Sequence, residues 1–122
     1  MVRGVRGATT VEQNTEQEII QVTEELLQEM INKNNIHPED VCSAIISVTD
    51  DITAAFPARA LRNIEGWKYV PVMCFKEISV PHAIEQCIRV MLHWNTTKGQ
   101  REIEHVYLKK AIHLRPDLRE NN

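Results

Sequence analysis

The chain has 122 residues, a formal net charge of −3, 43% hydrophobic residues and 25% charged residues. This length predicts one domain, and the composition is that of an ordinary globular protein. The acidic balance argues against a general nucleic-acid binder, which needs a basic surface. No apolar run is long enough to span a membrane, and no signal-peptide-like segment opens the sequence. The 3 cysteines lack Cys-x-x-Cys spacing and fit reduced thiols, so we expect a cytoplasmic protein without nucleic-acid or membrane partners.

The N-terminal part predicts a strand, a long helix and a second strand. Residues Met1–Ala8 fit a strand in which glycines allow another part of the chain to approach closely. Asn14 or Thr15 can cap a helix, and Thr15 and Glu18 have the spacing of a capping box. Apolar residues then recur at helical spacing over residues 19–31. The nearly continuous apolar and small residues of Val41–Val48 predict the second strand.

The C-terminal part predicts a short helix and further strands. Residues Phe56–Ile64 fit the helix, and Trp67–Phe75 fits a strand that Pro71 restricts to an edge or an irregular position. Residues Gln86–Trp94 are β-branched and apolar, without Gly or Pro, which predicts a buried central strand. Residues Glu102–Tyr107 alternate, and we expect them to pair beside the central strand as a hairpin.

This order of elements predicts an α+β domain, a mixed β-sheet with the one long helix packed on it. We expect the domain to occupy residues 1–116 and a polar C-terminal tail to occupy residues 117–122. The second face of such a sheet is left uncovered, and a chain of this length has little else to cover it. We therefore expect the protein to associate with copies of itself.

The central strand carries an arginine in its middle. At period two, Cys87, Arg89 and Met91 share one face, and apolar residues occupy the other. Taking a guanidinium out of water costs several kcal/mol, so the group needs a partner or a ligand. A carboxylate elsewhere in the fold would satisfy Arg89, and so would a strand end that lets the side chain reach water.

The sequence lacks the common catalytic motifs. There is no His-x-x-x-His or Cys-x-x-Cys pair for zinc, and no nucleophile elbow, P-loop or dinucleotide fingerprint. We interpret Cys74 and Cys87 as buried structural thiols rather than nucleophiles. What remains is a set of arginines with one carboxylate and one tyrosine: Arg6, Arg59, Arg62, Arg89, Arg115, Glu77 and Tyr107. Arginine forks match carboxylates with paired hydrogen bonds, so the set indicates a pocket for a small polyanion rather than acid–base or metal chemistry.

A family resemblance extends in order over essentially the whole chain. It is carried by the segments Arg3–Thr10, Phe56–Ala60, Gly66–Cys74, Cys87–Met91, His105–Leu108 and Leu114–Asp117. At these positions the sequence resembles the small monofunctional bacterial chorismate mutases of the α/β trimeric type. The resemblance implies an isomerase that converts chorismate to prephenate by an intramolecular Claisen rearrangement, in aromatic amino-acid biosynthesis. It also implies a homotrimer that forms a pseudo-α/β-barrel, with active sites between subunits and no cofactor.

The resemblance also implies a role for each matched residue. Arg89 matches the arginine that donates to the ether oxygen and to a carboxylate of chorismate, and Arg6 and Tyr107 match groups that bind that end of the substrate. Glu77 matches the carboxylate that accepts the ring hydroxyl and faces the developing positive charge. The other matched positions line the pocket or its mouth: Phe56, Arg59, Arg62, Val72, Met73, Cys74, Leu114 and Arg115. Cys74 matches a position that contacts the substrate through its backbone.

Two positions depart from the family pattern, and two other functions stay open. Arg59 stands where a lysine is expected, and Met73 stands where a threonine is expected. A non-catalytic trimer that binds a small anionic metabolite would use the same arginines, but would have no need of Glu77. The small trimeric imine hydrolases also hold a carboxylate with an arginine in a cleft. Prephenate formation would separate the mutase from both.

Overall fold

The structure, a computed structural model, describes residues 1–114, which form a 5-stranded mixed sheet with one long helix packed on it. The strands are β1 (Val2–Thr10), β2 (Val41–Val48), β3 (Val72–Lys76), β4 (Cys87–Asn95) and β5 (Val106–Tyr107), in the spatial order β3-β2-β4-β1-β5. The helices are α1 (Glu16–Asn34) and α2 (Arg59–Arg62). The predicted α+β fold is confirmed. Within residues 1–114, no helix is both long and apolar enough to cross a membrane.

Helix α1 begins where the sequence predicts, although its cap differs in one detail. The hydroxyl of Thr15 accepts from the N–H of Glu18 at 3.2 Å, which is half of a capping box. The Glu18 carboxylate accepts instead from the N–H groups of Glu12 and Gln13. It therefore holds the loop between β1 and α1. The helix ends at Asn35, whose left-handed backbone (φ 57°) closes the last turn.

The core lies between α1 and one face of the sheet. The helix contributes four fully buried side chains, those of Ile19, Leu26, Leu27 and Met30. They pack in one cluster with fully buried side chains of β1, β2 and β4, which are Val5, Ile46, Ile88 and Leu92. The sheet comes closest to the helix at Gly7, where an added Cβ would stand 2.5 Å from the Sδ of Met30. The predicted close approach at a glycine of the first strand is thus confirmed.

Strand β4 is the middle strand and pairs antiparallel with both β1 and β2. Its alternation is as predicted, because Ile88, Val90 and Leu92 are buried on the helix side while Arg89 and Met91 are half-buried on the other side. We call the side that α1 does not cover the open face. The residues that define it are Arg6, Ala8, Ile45, Ser47, Met73, Phe75, Cys87, Arg89 and Met91.

The prediction of a hairpin between the central strand and residues Glu102–Tyr107 is wrong. Residues Gln100–Glu102 form a 3₁₀ turn, and only Val106–Tyr107 is strand. This short strand, β5, pairs parallel with β1, at Gly7 and Ala8. It cannot pair with β4, because β1 and β2 already occupy both edges of that strand.

The strand and helix between β2 and β4 are shorter than predicted. Residues 67–70 form a turn closed by a hydrogen bond from the N–H of Val70 to the carbonyl of Trp67. The strand begins only after Pro71 and lies at the sheet edge, as the proline predicted. Of the predicted helix Phe56–Ile64, only Arg59–Arg62 is α-helical.

Candidate active site

One transverse row of the sheet brings predicted catalytic residues to the open face. The register pairs Tyr107 with Ala8, Ala8 with Arg89, and Arg89 with Ser47. Residues directly opposite each other in neighbouring strands present their side chains on the same face. Tyr107 and Arg89 therefore flank the small side chain of Ala8.

Arg6 lies next to this row. It pairs with Met91, so it is the diagonal neighbour of Arg89 across the β1–β4 pair. Diagonal neighbours in antiparallel strands are about 7–8 Å apart, which is within reach of long side chains. The sheet thus brings both predicted strand arginines to one face as diagonal neighbours.

Glu77 joins the arginines from the edge of the sheet. Its N–H donates to the carbonyl of Val48 at 2.8 Å, which continues the β2–β3 pairing by one residue. Its carboxylate Oε2 lies 3.5 Å from the Nε of Arg89 and accepts from the hydroxyl of Ser47. The carboxylate partner that the sequence left open for Arg89 is therefore Glu77, and both side chains remain partly exposed.

The ion pair with Glu77 leaves the Nε atom of Arg89 without a good hydrogen bond. The Nε atoms of Arg89 and Arg6 are buried, and neither has a hydrogen-bond partner among residues 1–114. A separation of 3.5 Å is too long for a good N–H···O bond. A buried donor without an acceptor costs about 1–3 kcal/mol. A ligand that brings an acceptor to this face would recover that free energy.

An apolar cluster lies beside the arginines. Tyr107 and Leu114 pack against Ala8, Cys87 and Ala111. Burial raises the pKa of the Cys87 thiol, although the nearby Arg89 opposes the shift, so the thiol is neutral at neutral pH. This agrees with the interpretation of Cys87 as a structural thiol. Arg115, predicted to bind substrate, lies outside the described residues.

The remaining predicted residues form a second group at the β3 edge. Phe56, Arg59 and Cys74 line one pocket, together with Glu16. Phe56 is 72% exposed, and Arg59 forms an ion pair with Glu16 at 3.1 Å. Arg62 is exposed on the same short helix.

Three of the predicted residues lie on strand β3, and they do not all face the same side of the sheet. Val72 and Cys74 pack against the core on the helix side, whereas Met73 is 64% exposed on the open face. Burial raises the pKa of the Cys74 thiol, and a hydrogen bond with the backbone of Ala58 opposes the shift. A protonated thiol is a poor nucleophile, which agrees with the interpretation that Cys74 is not a nucleophile, although its side chain is only half-buried.

Among residues 1–114, members of the two groups line separate pockets. Arg6 lines a pocket at the outer edge of β1, Glu77 lines another beside residues 78–85, and the β3-edge group lines a third. Among residues 1–114, no cluster of three or more His, Cys, Asp or Glu side chains could hold a metal ion.

The sequence analysis did not identify two residues that contact this site. Ser47 donates to Glu77, and Nδ1 of His105 accepts from the backbone N–H of Arg6 at 3.0 Å. The period-two alternation places Ser47 on one of the two faces of β2, but its neighbours depend on the β2–β4 register, which no local signal reveals.

Comparison with known proteins shows the family to which the chain belongs. The family model for chorismate mutase type I matches residues 2–118. The chain belongs to the type I chorismate mutases. The chorismate mutase AroH of Bacillus subtilis (strain 168) is 51% identical over 118 residues, covering 97% of this chain and 93% of that protein. The chorismate mutase AroH of Thermus thermophilus is 47% identical over 119 residues, covering 97% of both chains.

The fold agrees with this family. The solved structure of a chorismate mutase from Clostridium thermocellum matches with a TM-score of 0.86 and 50% identity, covering 89% of this chain and 96% of that chain. The predicted family and enzyme class, chorismate mutase, are therefore confirmed.

Proposed function

We propose that this chorismate mutase rearranges chorismate to prephenate on the open face, with Arg89, Glu77, Arg6 and Tyr107 as its catalytic residues. The observation that carries this assignment is the pair of buried Nε donors on Arg6 and Arg89 that have no hydrogen-bond partner among residues 1–114, beside the carboxylate of Glu77 that Ser47 holds. Chorismate is a dicarboxylate with an ether bridge and a ring hydroxyl. Its acceptors suit the guanidinium groups, and its hydroxyl suits Glu77.

The reaction is intramolecular, so the residues need only stabilise charge. As the carbon–oxygen bond breaks ahead of carbon–carbon bond formation, negative charge gathers on the ether oxygen and positive charge on the ring. Donors of Arg89 aimed at the ether oxygen bind the transition state more tightly than the substrate, which raises kcat. Glu77, on the other side, faces the positive ring. Arg6 and Tyr107 hold a carboxylate and so fix the reactive conformer.

We further propose a homotrimer whose sheets form a pseudo-α/β-barrel and whose active sites lie between subunits. Three hydrophobic side chains of the open face support this assembly: Ile45 is 38% exposed, Met73 64% and Phe75 47%. The separation of the two groups of predicted residues within one chain also supports it. In this proposal the β3-edge group of one subunit completes the substrate pocket over the arginines of its neighbour. The edge group consists of Phe56, Arg59, Arg62, Val72, Met73 and Cys74.

Leu114 and Arg115 are assigned by the same proposal to the wall and mouth of the pocket. The 3 cysteines are free thiols, which supports the cytoplasm as the proposed compartment. The division into a domain over residues 1–116 and a tail beyond it stays a prediction.

Complementation between inactive variants tests the proposal directly. Arg89→Ala removes one group, and the double variant Phe56→Ala/Arg59→Ala removes the other. If sites form between subunits, trimers refolded from a mixture contain some sites in which both groups are intact, so the mixture turns over chorismate faster than the sum of the two variants alone. Activity equal to that sum would place both groups in the same chain's site. A monomer by light scattering would refute the assembly.

A further inference from the structure

The outer edge of β1 is only partly covered by another strand. Strand β5 pairs with Gly7 and Ala8 and with no earlier residue of β1. The backbone N–H of Arg6, directly before this pairing, donates to Nδ1 of His105 at 3.0 Å. A side chain thus takes the place of a strand carbonyl at the position that carries a proposed catalytic arginine.

The residues directly before and after His105 in the sequence are both anchored to other parts of the fold. The preceding residue, Glu104, donates its N–H to Oδ1 of Asn34 at 2.8 Å, and its carbonyl accepts from Nδ2 of Asn34 at 2.8 Å. Asn34 is 1% exposed at the end of α1, so this anchor is part of the core. The following residue, Val106, pairs with Gly7. The imidazole therefore connects the helix end to the backbone of β1.

The surroundings of His105 are cationic on the β1 side. Arg3 and Arg6 line the pocket that His105 shares with the uncharged residues Gly4, Met91, Gln100 and Ile103. The charged side chains of its own segment, Arg101, Glu102 and Glu104, are exposed. The Glu102 carboxylate accepts from the N–H of Gly99 at 2.8 Å. Helix α1 contributes the neutral side chain of Asn34. Strand β4 contributes the titratable His93, which follows Met91 on the open face. Nδ1 of His93 lies 3.0 Å from the hydroxyl of Ser43.

We propose that His105 is a positioning residue for Arg6, which deepens and rests on the catalytic role proposed for that arginine. By accepting from the Arg6 N–H, the neutral imidazole fixes the backbone from which the guanidinium reaches the substrate carboxylate. Only an Nδ1 without a proton accepts. Protonation of Nδ1 would remove this acceptor, so the contact with the Arg6 N–H requires the neutral ring.

The test uses two substitutions of His105 that differ in the acceptor. His105→Asn places an amide oxygen where Nδ1 lies and does not titrate, whereas His105→Leu keeps the bulk and removes the acceptor. At pH 8 we expect kcat/KM of His105→Asn within about twofold of the wild type. We expect His105→Leu to lose roughly five- to a hundredfold, the range for a buried N–H left without a partner, mostly through KM because Arg6 binds a carboxylate.

Rescue by the conservative variant and the split between KM and kcat separate positioning from a merely structural role. His105→Asn restores the acceptor and should restore KM, whereas a merely structural loss would also lower kcat and the free energy of unfolding. His37→Asn, a substitution of an exposed histidine, should change neither KM nor kcat. A KM that is raised as much in His105→Asn as in His105→Leu overturns the inference.

Arg6→Ala distinguishes failure of this inference from failure of the proposed function. If Arg6→Ala lowers kcat/KM strongly while His105→Leu has no effect on KM, the inference falls and the proposed catalytic set stands. If Arg6→Ala leaves the rate unchanged, the catalytic role of Arg6 falls, and the positioning role falls with it. The inference predicts that His105→Leu costs little further activity in the Arg6→Ala background.

Discussion

Gly7 is the position where the packing of the sheet against α1 is tightest. An added Cβ would stand 2.5 Å from the Sδ of Met30 and 3.0 Å from the Cδ1 of Leu26. Carbon atoms in good contact are about 3.5–4.0 Å apart. Gly7→Ala therefore requires Met30 to move by about 1 Å or more and Leu26 by roughly half as much. Both are fully buried, so neither has free space to move into.

The expected change in the free energy of unfolding is the difference between two opposing effects of the added methyl group. Overpacking a well-packed core costs about 1–3 kcal/mol. Replacing a glycine whose backbone suits alanine recovers about 0.4–1 kcal/mol by restricting the unfolded chain. We therefore expect Gly7→Ala to lower the free energy of unfolding by about 1–2 kcal/mol.

Urea unfolding at fixed protein concentration measures this change. Gly99→Ala is the control, because its added Cβ would be 3.4 Å from a flexible carboxylate oxygen, and we expect a change below about 0.5 kcal/mol. A double-mutant cycle with Met30→Ala isolates the contact, since in that background the new methyl group fills part of a cavity and should stabilise the protein. A Gly7→Ala variant as stable as the wild type, or equal effects in both backgrounds, would refute the packing argument.

Further predictions concern the site and its thiol. Ser47→Ala removes the donor to Glu77 and should lower kcat for chorismate about two- to tenfold; an unchanged kcat would show that Glu77 needs no such support. Glu16→Gln releases Arg59 and should lower KM by up to about fivefold at low salt and not at high salt, whereas a raised KM would contradict this. Because burial raises the pKa of Cys87, the folded state keeps a proton that the unfolded chain loses near pH 8.5–9. The free energy of unfolding should fall above that pH, and urea midpoints should show a shallower decline in Cys87→Ala; equal slopes would contradict the shift.

Local patterns were sufficient for the elements that build the sheet face. The period of two in β4 predicted which side chains share a face, and strand β2 has the bounds that its apolar run predicted. Helix α1 begins beside the predicted capping residue Thr15. These features depend on neighbours in the sequence, so the sequence alone could predict them.

Partner choice was not predictable in the same way. The pairing of β5 with β1 depends on the edges of β4 being already occupied, which is a property of the whole sheet. The same holds for the site, because alternation places Arg89 on a face but does not reveal that Ser47 is its register partner. The contact of His105 with the backbone of Arg6 joins residues 99 positions apart, and no spacing rule suggests it.

The central claim is that Arg89 lowers the barrier rather than merely holding the substrate. Its most direct test is the steady-state kinetics of Arg89→Gln with chorismate, on protein whose circular dichroism and mass in solution match the wild type. We expect kcat to fall at least about a hundred- to a thousandfold, the effect of losing one preorganised donor, while KM changes far less. A kcat within a few-fold of the wild type, with only KM raised, would contradict the claim and reduce Arg89 to a binding residue.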